Sequence, residues 1–123
     1  MNPQPLRKEM SGDTYASPSW LLSVFEGWFD PCPLNDVPAF DGLKIPWKLR
    51  TYVNPPYSDP LPWVEKAIQE SKKGNVVVML LRADSSTRYF QRCQEEGEVL
   101  YFGRRIKFNG KTPYFASMLV IFR

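Results

Sequence analysis

Val76-Val77-Val78-Met79-Leu80-Leu81 is an unbroken run of six apolar residues. A strand with one wet face alternates polar and apolar side chains, so a run without alternation fits a strand buried on both faces of a parallel sheet. Upstream, Leu61, Val64, Ala67, Ile68 and Ser71 fall on one helical face. Ser58 or Asp59 offers that helix an N-cap with Pro60 near its start, Lys72 and Lys73 suit its C-terminal dipole, and Gly74 ends it. Before the helix, Thr51-Tyr52-Val53 reads as a short strand stopped by Asn54-Pro55. After the central run, a helix is predicted from about Thr87 to Glu96, closed by Gly97, then a strand over Val99-Leu100-Tyr101-Phe102. Ile106-Lys107-Phe108 leads into Asn109-Gly110, a hairpin turn signal, and Met118-Leu119-Val120-Ile121-Phe122 is the last strand. Strand–helix–strand–helix–strand predicts an α/β sandwich with a mostly parallel sheet, and the hairpin signal makes the last strand antiparallel.

Toward the N-terminus, Ser17-Pro18 reads as an N-cap and first helical residue, with Leu21, Val24, Phe25 and Trp28 at helical spacing behind it. Trp28-Phe29 is a short apolar piece running into Asp30. The stretch containing Pro31, Pro33, Pro38 and Pro46 is too proline-rich for a helix, and irregular stretches of this length in small domains are usually functional or disordered. The chain of 123 residues is expected to form a flexible arm over 1–13 and one domain over 14–123, with 43% hydrophobic residues to supply a core. No run of about 18 apolar residues suggests a membrane span, and the first residues show no signal pattern, so a cytoplasmic location is expected. Two cysteines and no histidine exclude a disulfide framework or a zinc cluster, and no metal is expected. Charge is uneven: residues 1–63 carry five basic and seven acidic side chains, and residues 64–123 carry eleven and six. A basic half suits a polyanion, although ordinary surface lysine and arginine would look the same.

In open α/β sheets, ligands bind beyond the carboxyl ends of the strands. Asp30, Asn54 and the segment Arg82-Ala83-Asp84 each follow a predicted strand, so their loops should share one rim. Asn54-Pro55-Pro56-Tyr57 has a composition suited to one chemistry. The exocyclic amine of adenine is a poor nucleophile because its lone pair is delocalised into the ring. An asparagine oxygen and a neighbouring backbone carbonyl can draw that nitrogen toward tetrahedral geometry without a titrating base. Two prolines hold the acceptors in place, and an aromatic ring offers a stacking face for an extruded base. The same tetrapeptide could be a proline-rich turn and nothing more.

Five ordered segments resemble the phage-type DNA N-6-adenine-methyltransferase (Dam-like) family. They are Tyr15-Ala16-Ser17-Pro18 with Trp20-Leu21, then Phe29-Asp30-Pro31-Cys32-Pro33, then Asp41-Gly42-Leu43 with Trp47. Val53-Asn54-Pro55-Pro56-Tyr57-Ser58 follows, and Gly103-Arg104-Arg105-Ile106-Lys107-Phe108 with Ser117-Met118-Leu119-Val120 closes the set. The resemblance implies a trimmed class I (Rossmann-like) AdoMet-dependent methyltransferase fold of about five strands. It implies S-adenosyl-L-methionine (AdoMet) as cofactor, lined by Ser17, Pro18, Asp30, Pro31, Cys32 and Asp41. Asn54 and the Pro55 carbonyl would hold the target N6, and Tyr57 would stack on the base. For Asp30 and Asp41, local turn capping is the competing reading.

The resemblance also makes Ser58, Arg82 and Arg88 candidates for nucleic-acid contacts, although Asp84 or Ser85 could simply cap the helix that follows. Arg104, Arg105, Lys107 and Lys111 alternate with Ile106 and Phe108, which points the charges one way, toward phosphates or merely toward solvent. The expected partner is DNA. No target-recognition domain fits beside the catalytic fold, so specificity is short or loose, or is supplied by a homodimer or a partner chain. RNA or protein-glutamine methylation, and a non-catalytic DNA-binding module, are the competing functions. One departure stands out: the loop after Asp30 is Pro-Cys-Pro-Leu-Asn, where many methyltransferases are glycine-rich.

Overall fold

A computed structural model describes residues 16–33, 40–108 and 110–123. The arm expected over 1–13, Tyr15, Pro38 and Asn109 lie outside the described residues. In chain order the elements are α1 (Ser19–Val24), β1 (Arg50–Val53), α2 (Leu61–Ser71), β2 (Val76–Arg82), α3 (Arg88–Glu96), β3 (Glu98–Tyr101) and β4 (Ser117–Phe122). The sheet order is β1-β2-β4-β3. β1 is parallel to β2, with Val53 opposite Met79, while β4 runs antiparallel to both β2 and β3. Three strands therefore share one direction and the last opposes them, as the hairpin signal predicts. Four strands form among the described residues where about five were expected. The missing one is reduced to a parallel bridge of Phe29 with Thr51 on the outer edge of β1. Phe29 N–H donates to Arg50 O and Tyr52 N–H to Phe29 O, both at 2.9 Å. Pro31 limits its extension, having no N–H to continue the ladder.

β2 is buried along its length, and its two faces serve two apolar clusters. Val77, Met79 and Leu81 pack with Val64, Ala67 and Ile68 of α2 and Phe90 and Cys93 of α3. Val78 and Leu80 pack with Leu21, Tyr52, Ile106, Phe108 and Phe115. That second face is thus covered by the short α1 and the segment after β3 rather than by a long helix. Arg92 on α3 ties the two helices together through a two-pronged pair with Glu65 of α2, at 2.7 and 3.1 Å.

Several local expectations are corrected. Pro18, not Ser17, is the N-cap of α1, and it makes no side-chain cap bond. The helix ends at Val24, which is 63% exposed. Phe25 and Trp28 still reach the core, Phe25 stacking on Tyr52 at 4.7 Å and meeting Trp28 edge-on at 5.1 Å. Pro60, rather than Ser58 or Asp59, is the N-cap of α2. α3 is capped by Thr87, whose Oγ1 accepts from Phe90 N–H, and not by Asp84 or Ser85. Asp84 instead accepts from the Ser86 N–H and hydroxyl at 3.1 and 2.6 Å. The hairpin turn is present: Phe108 and Lys111 exchange backbone bonds of 2.9 and 3.0 Å, with Gly110 at φ +75°. It closes a tip within the connection from β3 to β4.

Candidate active site

Because Phe29, β1 and β2 run parallel, Asp30, Asn54 and Arg82 emerge at one end of the sheet, as the sequence reading requires. Asn54 is 3% exposed directly after β1. Its Nδ2 donates to Ser17 Oγ at 3.2 Å, and Ser17 Oγ lies 2.8 Å from the hydroxyl of buried Tyr52. This chain fixes the plane of the asparagine amide. Burial pushes the Tyr52 phenol well above its ordinary value; the Ser17 bond opposes that and nearby Asp30 adds to it, so Tyr52 stays protonated. Ser17 was selected as a cofactor-pocket residue, and the structure places it on Asn54. Tyr52 was missed as a site residue, because its partner lies 35 positions away.

The Asp30 and Asp41 segments come together. A Cβ on Gly42 would stand 1.9 Å from Pro31 O, so only glycine lets these two loops approach so closely. Trp47 Nε1 donates to Gly42 O at 2.7 Å, and the buried Trp47 ring stacks on Trp63 of α2. Glu70, 1% exposed, accepts from Trp47 N–H at 3.1 Å and Asn75 Nδ2 at 2.9 Å, and pairs with Lys66 and Lys73. Burial alone would raise its pKa. The bonds from Lys73, the Trp47 N–H and Lys66 outweigh that and hold the carboxyl below its ordinary value. Both aspartates make the turn bonds anticipated for them: Asp30 Oδ1 accepts from Cys32 N–H at 2.9 Å, and Asp41 Oδ1 from Leu43 N–H at 3.0 Å. Next to Asp30, Pro31 is buried and Cys32 half-buried, whereas half-buried Pro18 lines the groove beside the basic segment.

On the other side of Asn54 stands Tyr57, edge-on to Phe115 at 5.3 Å. The Arg82 guanidinium carbon lies 5.2 Å from the Tyr57 ring centroid. Arg104, Arg105, Lys107 and Lys111 are exposed while Ile106 and Phe108 are buried, as their alternation predicts. A groove of ≈ 770 Å³ opens between α1 and this basic segment, lined by Ser17, Trp20, Phe102, Arg104, Arg105 and Lys107 among others, with no acidic side chain in its wall. Trp20 is 51% exposed there and meets Phe102 edge-on at 6.1 Å. Ser58 is exposed just after Tyr57. Arg88 is exposed on the first turn of α3 and reaches Gln91 on its own helix at 3.4 Å.

The family profile of DNA N-6-adenine-methyltransferase (Dam) matches residues 6–119. The chain belongs to this family. The match runs through α1, both loops of the rim, Asn54 to Tyr57 and the sheet as far as Leu119 in β4. Its relatives include the DNA N-6-adenine-methyltransferase of Haemophilus phage HP1 (strain HP1c1), 34% identical over 124 residues, which cover 87% of this chain and 69% of that protein. The DNA N-6-adenine-methyltransferase of Escherichia phage T1 is 41% identical over 105 residues, covering 72% of this chain and 44% of the relative. No solved structure matches.

Proposed function

We propose that this chain transfers a methyl group from AdoMet directly to the N6 amine of an adenine extruded from DNA at a specific site, with Asn54-Pro55-Pro56-Tyr57 as the catalytic segment. Adenine N6 in DNA as acceptor follows from the family. The donor and the residue roles are our reading. The observation that carries it is the buried Asn54 amide, oriented by Ser17 at the end of β1. Asn54 Oδ1 and the Pro55 carbonyl accept hydrogen bonds from the amine, which localises its lone pair, while Pro55 and Pro56 keep the loop rigid and Tyr57 stacks on the base. No side chain needs to titrate for this, and the rate comes largely from orientation.

The donor set on the Asp30 side fits AdoMet. Two carboxylates, Asp30 and Asp41, suit an ammonium group and ribose hydroxyls, Ser17 is a hydroxyl partner, and half-buried Pro18 and Cys32 with buried Pro31 supply apolar wall. When bound, AdoMet supplies an electrophilic methyl group on a sulfonium. The sheet suits a trimmed class I fold, with the Phe29 segment as the remnant of an outer strand and β4 as the antiparallel insertion. Ser58, Arg82, Arg88, Arg104, Arg105, Lys107 and Lys111 contact DNA, the groove beside Trp20 taking a strand through aromatic and phosphate contacts. Target specificity is short or loose, or is supplied by a homodimer or a partner chain. Among the described residues, no helix is long and apolar enough to cross a membrane.

The test is methyl transfer from tritiated AdoMet to unmethylated DNA, RNA and protein by the wild type and by Asn54→Ala. Label in DNA as N6-methyladenine, lost in a folded Asn54→Ala variant, is the expected outcome. Label confined to RNA or protein, or full activity in the variant, refutes it.

A further inference from the structure

We propose that Arg82 is the phosphate anchor of the extruded nucleotide, held ready in an aromatic box formed by Tyr57, Phe115 and Tyr114. The proposal rests on DNA being the substrate. Arg82 ends β2 opposite Ser117 of β4. By the period of the pleat it rises on the face of Val78 and Leu80, where Tyr57 and Phe115 pack. Its guanidinium carbon is 4.7 Å from the Phe115 centroid, 5.2 Å from Tyr57 and 5.5 Å from Tyr114. The backbone beneath is pinned, because Tyr89 OH donates to Arg82 O at 2.7 Å.

The charge balance around Arg82 differs from that of its neighbours. Arg92 and Arg123 each hold a carboxylate with two bonds, from Glu65 and Glu98. Among the described residues no ion pair joins Arg82 to an acid. Its Nε is buried with no hydrogen-bond partner among them, and so is Ser117 Oγ. Aromatic faces stabilise a cation but accept none of the in-plane N–H bonds that a guanidinium offers to an oxyanion. The nearest acid in the chain, Asp84, is felt by Arg82 only as a through-space charge and makes its own bonds to Ser86, and a partly desolvated guanidinium with no carboxylate bonded to it is completed by an arriving anion.

The position identifies the anion. Arg82 touches the ring expected to receive the base, and the anion tethered to that base is its own phosphate. The cofactor carboxylate is a poorer fit, because the Asp30 segment lies beyond β1 on one side of Asn54 and Arg82 lies on β2 at the other. Tyr114 is 73% exposed and edge-on to Phe115 at 5.5 Å. It forms the solvent-side wall of the box, a role with no local sequence signal.

The experiment measures DNA affinity against salt for wild type, Arg82→Met, Arg82→Lys and Tyr114→Ala on a duplex the wild type methylates, with AdoMet affinity by calorimetry alongside. Arg82→Met should weaken DNA binding on the order of tenfold. It should also make the slope of log K against log salt shallower by about 0.9, one phosphate contact, with AdoMet affinity unchanged. Arg82→Lys should keep the wild-type slope, and Tyr114→Ala should lose affinity at unchanged slope. An unchanged slope in Arg82→Met, or a loss confined to AdoMet, overturns the proposal. If Arg82→Met does not fold, wild type is measured on duplexes with one neutral methylphosphonate beside the methylated adenine. One such position should remove the same slope increment, and none doing so overturns the proposal. Wild type that methylates no DNA overturns the substrate reading itself, whereas normal methylation with an insensitive Arg82 overturns only the anchor.

Discussion

Deleting the Ser17 hydroxyl should separate the stability of the site from its orientation. Ser17 Oγ joins the Tyr52 hydroxyl at 2.8 Å to Asn54 Nδ2 at 3.2 Å, and Ser17→Ala removes both contacts. Tyr52 is buried and its pKa is raised, by burial first, so its hydroxyl stays a proton donor that needs an acceptor. Leaving it unmatched costs about 1–3 kcal/mol, and losing the neutral bond to Asn54 about 1 kcal/mol more. A total of roughly 2–4 kcal/mol should lower Tm by about 8–16 °C in a chain of this size. Adding Tyr52→Phe removes the stranded hydroxyl, so the double variant should recover most of that stability. Turnover should not recover, because the Asn54 amide remains unoriented. A misplacement worth about 1–3 kcal/mol corresponds to a fall in kcat of roughly 5- to 150-fold in both variants. Thermal unfolding and single-turnover methylation read the two quantities independently. If the double variant regains stability and rate together, Ser17 serves only the fold, and if Ser17→Ala keeps the wild-type Tm, the hydrogen-bond chain is wrong.

Two further substitutions probe the other side of the rim. Gly42→Ala would place a Cβ 1.9 Å from Pro31 O and 3.0 Å from the Trp63 ring, so the loops must part. We expect a loss of about 3 kcal/mol, at the upper end of overpacking costs, together with weaker AdoMet binding; calorimetry showing wild-type affinity would place the pocket elsewhere. Glu70, whose pKa folding lowers, contributes stability above its unfolded value of about 4.3 and loses it as pH falls through the lower folded value. Urea titrations from pH 7 to pH 3 should therefore show wild type losing stability that Glu70→Gln does not lose, and parallel curves would refute the assignment.

The strands were legible because burial writes itself into short apolar runs. Val76 to Leu81 and Met118 to Phe122 fall inside β2 and β4 with ends shifted by a residue. The helical spacing of Leu21, Phe25 and Trp28 overextends α1, because Phe25 reaches Tyr52 by ring stacking and Trp28 meets Phe25 edge-on, both from a non-helical turn. Ser17 before Pro18 carries a real local capping signal, but long-range partners in Tyr52 and Asn54 claim its hydroxyl. Glu70 reads as a surface residue of α2. The Lys66 and Lys73 spacings announce its ion pairs, but nothing local announces that Trp47 and Asn75 draw it inside. The box around Arg82 joins β2 to residues 32 and 33 positions later and was invisible for the same reason.

A glycine-rich loop is missing after Asp30. Its usual physical purpose is close backbone approach. Here that approach occurs between two loops of the rim, with Gly42 against the Pro31 carbonyl. The contact is braced from behind: Gly42 O accepts from Trp47, Trp47 stacks on Trp63, and Trp47 N–H is held by Glu70 of the same helix. The Asp30 side of the rim is thereby fastened to α2, while the Arg82 side is fastened to α3 through the Tyr89 hydroxyl. Asn54 stands between the two on β1. The Asn54 amide is held still in this way, because each neighbouring loop is anchored to a different helix on the buried face. It follows that disturbing either anchor should act on Asn54 from one side only, Gly42→Ala through the cofactor and Tyr89→Phe through DNA.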